Sequence, residues 1–216
     1  LFSLKNGNGF FINDLKPLFI IFIFLILLIL IGSHIMASLF FHSSAGIDIS
    51  EKQISYANKR YSTDSKKFLQ FDKIIPFEDN SFDSVSMIEL IEHLSDDEIT
   101  SILQQIHRVL KTGGKIYITT PNYLSLWPVL EFFLNKVSKV SYEHQHISKF
   151  NFLNINKIID KNKFNIIKKN SFIYLSPFTA FFSFKFSIFF SKIERIIFKF
   201  LPGFLLYIEL EKKWGF

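Results

Sequence analysis

The chain of 216 residues has no cysteine, which excludes a disulfide framework, a thiolate metal site and a cysteine nucleophile. It has only three arginines, no arginine-rich patch and no recognised RNA-binding motif, so its net charge of +6 does not point to nucleic acid. No internal repeat occurs. Between Lys16 and Asp48 no side chain carries a formal charge. No small-x-small cleavage site closes that run, which argues against a secretory signal. The first residue is Leu rather than Met, as expected of a fragment or a processed product. Apolar residues, by contrast, make up 49% of the chain and Phe alone supplies 29, which excludes a disordered or collagen-like chain.

Charge is unevenly spread. Residues 48–120 hold nine basic and twelve acidic groups, whereas residues 121–216 hold fourteen basic and six acidic. The middle reads as an ordinary soluble segment between two apolar flanks. In the first flank, residues 18–31 are continuously apolar; alone they are too few to cross a bilayer, but residues 18–41 are enough. This is a membrane segment on one reading and a buried core helix or strand on the other, because hydrophobic length does not separate them. In the second flank, residues 177–201 set Lys185, Lys192, Glu194, Arg195 and Lys199 among phenylalanines, and no stretch reaches spanning length. Two readings stay open there: a segment lying in a headgroup interface with its Lys stems snorkelling, or a lid packed on the domain's own core.

The middle alternates strands and helices, the pattern of an α/β sheet. Residues 45–49 (AGIDI) read as a short strand, after which Ser50 caps a helix running to Arg60 with Ile54 and Ala57 inward. Residues 83–90 read as a second strand. Ser95 can cap a helix over 96–110, where Ile99, Leu103, Ile106 and Leu110 recur at helical spacing. Gly113, in the left-handed conformation, is expected to stop it. Strands are expected over 115–120, 164–174 and 204–211, and a helix over 153–161.

A strand that ends in an acid and opens a helix presents its carboxylate where doubly wound folds bind ribose hydroxyls, although such an Asp also caps helices. Asp48 stands in that position. Behind it come Phe71-Asp72, the block IPFEDNSFD (75–83), the block Glu89-Leu90-Ile91-Glu92-His93, and HRVLKTGGKIYITTPN from His107. Taken with GIDIS, these strings make residues 46–120 resemble a class I S-adenosylmethionine-dependent methyltransferase of the type 11 kind. The closing IELEKK resembles the antiparallel last strand of that family. The Phe-rich residues 176–203 fall between the last two strands, where such enzymes often carry substrate-recognition insertions.

The resemblance implies a Rossmann-like α/β fold, a mostly parallel sheet with an antiparallel last strand, and S-adenosylmethionine as cofactor. It divides the chain into a degenerate cofactor-loop remnant (1–16), a hydrophobic insertion (17–45) and a core (46–216). By the same resemblance Asp48 binds the ribose with Ile49 beside it. Asp72 lies near the adenine amino group with Phe71 beside the ring, and Glu89 faces the methionine and substrate side. The glycine-rich turn falls to Gly7 and Gly9, with Ser3 and Lys5 where the family has an acid and a glycine. The acid should follow the glycines by about 20 residues, yet Gly9 to Asp48 spans 39. Either a membrane segment was inserted into the first crossover, or this stretch is a corrupted reading of the coding sequence.

Glu89, Glu92 and His93 also resemble the E-x-x-E-H divalent-metal motif of ubiquinone-pathway O-methyltransferases, with donors suited to several divalent ions. They are candidate ligands only, and no metal is expected; the alternative is that Glu92 and His93 close the strand and cap the next helix. An oxygen or nitrogen acceptor would benefit from a base, for which His93, His144 and His146 are candidates. The string VSYEHQHISKF (140–150) resembles the substrate-side segment of related membrane-linked methyltransferases, which assigns Tyr142 and His146 to that side. The expected function is methyl transfer to a small or lipid-linked acceptor by a protein associated with the cytoplasmic face of a membrane, or cytoplasmic. The alternative is a non-catalytic membrane-associated protein whose methyltransferase scaffold no longer binds cofactor. The expected partners are the acceptor and a membrane surface, and nucleic acid is not expected.

Overall fold

The computed structural model describes residues 43–71, 74–137, 146–179, 183–198 and 200–214. The hydrophobic run of the first flank, Gly7, Gly9, Asp72, Tyr142 and His144 lie outside the described residues. Among the described residues no helix is long and apolar enough to cross a membrane.

Strand β1 (Ser44–Asp48) pairs in parallel with β2 (Lys66–Gln70), and helix α1 (Glu51–Tyr61) joins them. Ser50 caps α1 by accepting from the Gln53 amide at 3.3 Å, and Lys59 and Arg60 face the negative end of its dipole. A second sheet contains β3 (Phe82–Ile88), β4 (Leu110–Pro121), β5 (Phe164–Phe172) and β6 (Leu205–Lys212). Its order is β3–β4–β6–β5. β3 and β4 are parallel, and the last strand, β6, runs antiparallel to β4 and β5. The expected α/β fold with an antiparallel last strand is thus present. The period of two is clean in β6: Leu206, Ile208 and Leu210 are fully buried, while Tyr207, Glu209 and Glu211 point the other way and stay partly open.

Helix α2 (Asp96–Val109) covers this sheet with Ile99, Leu103, Ile106 and Val109, all buried. Its start is a full capping box, in which the Ser95 hydroxyl accepts from the Glu98 amide and the Glu98 carboxylate accepts from the Ser95 amide at 2.8 Å. Burying each such Ile or Leu side chain contributes about 1.5–3 kcal/mol, and they join Ile91, Ile116, Ile118 and the β6 residues in one core. Arg108, at the end of α2, donates to the Ile75 and Phe77 carbonyls and to Asp79, fastening the IPFED segment to the helix.

Two expectations fail. α2 ends at Val109, within a residue of the expected Leu110, but Gly113 is not what stops it: Leu110 is already extended and opens β4, and Gly113 takes its left-handed φ of 76° inside that strand. The helix expected over 153–161 shrinks to a single tight turn at Ile155–Ile158. Asn and β-branched Ile are poor helix formers, and Asn151 and Asn154 bond to local backbone amides instead. Ile155 and Ile159 still reach the core.

Helix α3 (Trp127–Val137) follows β4. Between β5 and β6 lie a short turn of helix, α4 (Ser176–Thr179), and α5 (Phe184–Ile197), packed together. The chain then returns to the sheet at Gly203, where a Cβ would stand 2.6 Å from the Phe172 carbonyl oxygen, so only glycine fits without movement.

Candidate active site

The carboxyl ends of β1, β3 and β4 carry the candidate residues, the edge at which open α/β sheets bind ligands. At the end of β1, Asp48 turns its Oδ1 back to accept from the Ser50 amide at 2.7 Å. The Phe71 amide donates to the Asp48 carbonyl at 2.9 Å, which fixes Phe71 beside it, while Ile49 is left exposed. Asp48, Ile49 and Phe71 therefore form one group.

A second group begins where β3 ends. Glu89 has a left-handed φ of 49°, unusual for a residue other than glycine. Its amide donates to the Thr119 carbonyl at 3.1 Å, which ties the turn to β4. Among the described residues its Oε1 is buried without a hydrogen-bond partner. Burial pushes the Glu89 carboxyl up to about 8, with the charge of Glu92 adding to the effect. The tight turn Ile91–His93 that follows buries Glu92, whose Oε2 accepts from the Thr120 hydroxyl at 3.0 Å. Burial raises this carboxyl as well, to about 7.

His146 closes the group. Its Nδ1 lies 2.7 Å from Glu131 Oε1, and the Tyr123 hydroxyl lies 2.9 Å from the same nitrogen and 3.0 Å from Glu131 Oε2. Only the carboxylate in this trio has no proton to give, so both the imidazole Nδ1–H and the phenol donate to Glu131. Burial lowers the affinity of His146 for a second proton, against the pull of Glu131. The rings of His93 and His146 are 5.1 Å apart. One nitrogen from each and one oxygen of Glu92 lie within 4.8 Å of one another, close enough to receive a cation after a small shift.

The structure thus brings together Glu89, Glu92, His93 and His146, and separately Asp48, Ile49 and Phe71. Among the described residues, Glu92, His93 and His146 bring ligand atoms within reach of one ion, so two of the three candidate ligands, Glu92 and His93, meet His146 there. Two residues of the site escaped the sequence reading. Glu131 is the single acid of the mostly apolar helix α3, whose other polar residues are Asn135 and Lys136, and Tyr123 follows the Pro121-Asn122 strand end. A lone acid on a mostly apolar helix was the available signal.

Residues 31–118 match the family model described as a methyltransferase domain. A solved structure of an S-adenosylmethionine-dependent methyltransferase from Methanosarcina mazei superposes with a TM-score of 0.52 at 16% identity, covering 80% of this chain and 83% of that one. The chain has the class I methyltransferase fold, and residues 31–118 are similar to a methyltransferase domain. The domain is 42% identical over 74 residues to a sterol 24-C-methyltransferase of Gibberella zeae, covering 32% of this chain and 19% of that protein. It is 33% identical over 78 residues to phosphoethanolamine N-methyltransferase 2 of Caenorhabditis elegans, covering 34% of this chain and 17% of that protein. The matches therefore span less than a fifth of these relatives' own length. The family match to the methyltransferase domain begins at residue 31, so Gly7 and Gly9 precede it.

Proposed function

We propose that this chain transfers a methyl group from S-adenosylmethionine to a small or lipid-linked acceptor, with His146 as the base. The observation that carries the reading is the His146 imidazole held through Nδ1 by Glu131 at 2.7 Å, beside Glu92 and His93 at the carboxyl edge of the sheet. The relatives named for a sterol and for phosphoethanolamine, one a lipid and the other a small polar amine, support a small or lipid-linked acceptor, and they differ in acceptor atom, carbon against nitrogen.

Asp48 and Phe71 fit the cofactor's ribose and ring: a carboxylate at a strand end, and an aromatic face fixed to it by a backbone hydrogen bond. When bound, the cofactor supplies a methyl group already activated on a sulfonium, so the chain's work is alignment and proton removal. With Nδ1 donating to Glu131, proton abstraction falls to Nε2 of His146. The imidazolium so formed is stabilised by the Glu131 carboxylate, which the Tyr123 hydroxyl keeps in place.

Equilibrium binding of radiolabelled S-adenosylmethionine to the purified chain tests the first half. Asp48→Ala should weaken it at least about tenfold, the worth of a charge-assisted hydrogen bond. Label transfer to a total lipid extract tests the second half: His146→Ala should slow it by about 10²–10⁴ while cofactor binding is kept. No binding at millimolar cofactor would sink the enzyme reading and leave the non-catalytic scaffold.

A further inference from the structure

We propose that the outward face of α5 is a docking surface for the headgroup layer of an anionic lipid bilayer. The helix is inside out. Its inward side carries polar groups beside the half-buried Phe190 and Ile193: the Ser187 hydroxyl donates to the Ser176 carbonyl at 2.7 Å. Glu194, only 3% exposed, accepts from the Leu175 amide, the Ser176 amide and the Ser176 hydroxyl. Its outward side is apolar: Phe184, Phe189, Ile196 and Ile197 are all exposed, and Phe200 and Leu201 extend the surface just beyond the helix. A helix facing water does the reverse, and an apolar patch of this kind marks a contact surface.

Charge selects the occupant. Lys185 and Lys192 are exposed on α5, and the helix's single acid is the buried Glu194. The outward charge is therefore cationic and unopposed by any acid of the same helix. Anionic headgroups complement it while Phe and Ile enter the acyl boundary, and the Lys stems can lie along that boundary with their ammonium groups in the headgroups. A second copy of the chain packed through the same patch would set these lysines against their own counterparts. The apolar run 18–31 of this chain carries no charge to pair with them.

The surface deepens the lipid-linked acceptor reading but rests on the α5 face alone. Vesicle binding is measured without cofactor and cofactor binding without vesicles, so either can fail while the other holds. The chain has no cysteine, so Ile196→Cys in the full chain takes one environment-sensitive fluorophore on α5, and Ser101→Cys on α2 provides a control position. With phosphatidylcholine vesicles containing phosphatidylglycerol, the label at 196 should shift to the blue and that at 101 should not. Pure phosphatidylcholine should produce little change. Lys185→Glu with Lys192→Glu, checked for unchanged circular dichroism, should weaken binding about tenfold or more. Co-sedimentation with vesicles without a shift at 196 would overturn the proposal, because another part of the chain would then be the anchor. A shift without lipid that grows with protein concentration would assign the face to a second copy. A blue label at all concentrations without lipid would assign it to the chain's own residues. Both outcomes overturn the proposal.

Discussion

Helices α2 and α5 are each fourteen residues long and each starts at a serine cap, yet they bury opposite kinds of surface. α2 turns Ile99, Leu103, Ile106 and Val109 inward and leaves Asp96, Asp97 and Glu98 to solvent. α5 turns Ser187 and Glu194 inward and leaves Phe184, Phe189, Ile196 and Ile197 outside. The first is held by the hydrophobic effect, the second by hydrogen bonds to one buried carboxylate. Each region should therefore respond to a different class of substitution.

The largest contrast should come from truncating apolar side chains. Leu103→Ala on α2 is expected to cost about 2–5 kcal/mol in urea denaturation, whereas Ile196→Ala on α5 should stay within about 0.5 kcal/mol. Equal losses would erase the distinction between the two helices. Next is Glu194→Ala, which strips the partner from two amides and a hydroxyl. About 2–3 kcal/mol should be lost, with faster proteolysis between β5 and β6 as the local readout.

The buried carboxylates sharpen the contrast by pH. Glu194 meets three donors, whereas Glu89 and Glu92 face one another and have raised proton affinity. The folded state therefore holds those protons more tightly than the unfolded chain. Their contribution to stability is complete below about pH 4.5 and is lost as pH rises through about 7 to 8. His146 acts in the opposite sense below pH 6.5, since its proton affinity is lowered. Glu92→Gln keeps a partner for Thr120 and should flatten the decline between pH 5 and 8 by at least about 1 kcal/mol, the worth of one pKa unit. The smallest effects should be at the caps: Ser95→Ala, which dismantles a capping box, about 1 kcal/mol, and Ser183→Ala, a simple cap on α5, about half that.

The regions legible in the sequence are those governed by local rules. α2 was readable because its spacing, its Ser95–Glu98 box and its acidic first turn all agree, and β6 because its alternation is strict. Asp48 stood out as an acid closing a strand, and Glu89 through the family resemblance. The Tyr123–Glu131–His146 trio did not, because its members lie 8 to 23 residues apart and meet only when α3 folds back over the end of β4. α5 resisted for a different reason. Period analysis assumes that the apolar side is the inner one, and here the inner side is chosen by Glu194.

Glu89 carries one more implication. Its left-handed backbone and its unpartnered buried oxygen each disfavour the fold, the first by about 1 kcal/mol. Glycine at this position would relieve both at once. A lineage with no use for that carboxylate would thus drift toward glycine with a gain in robustness. Glutamate here therefore keeps a buried carboxyl at the end of β3 at a cost in fold stability that glycine would not carry.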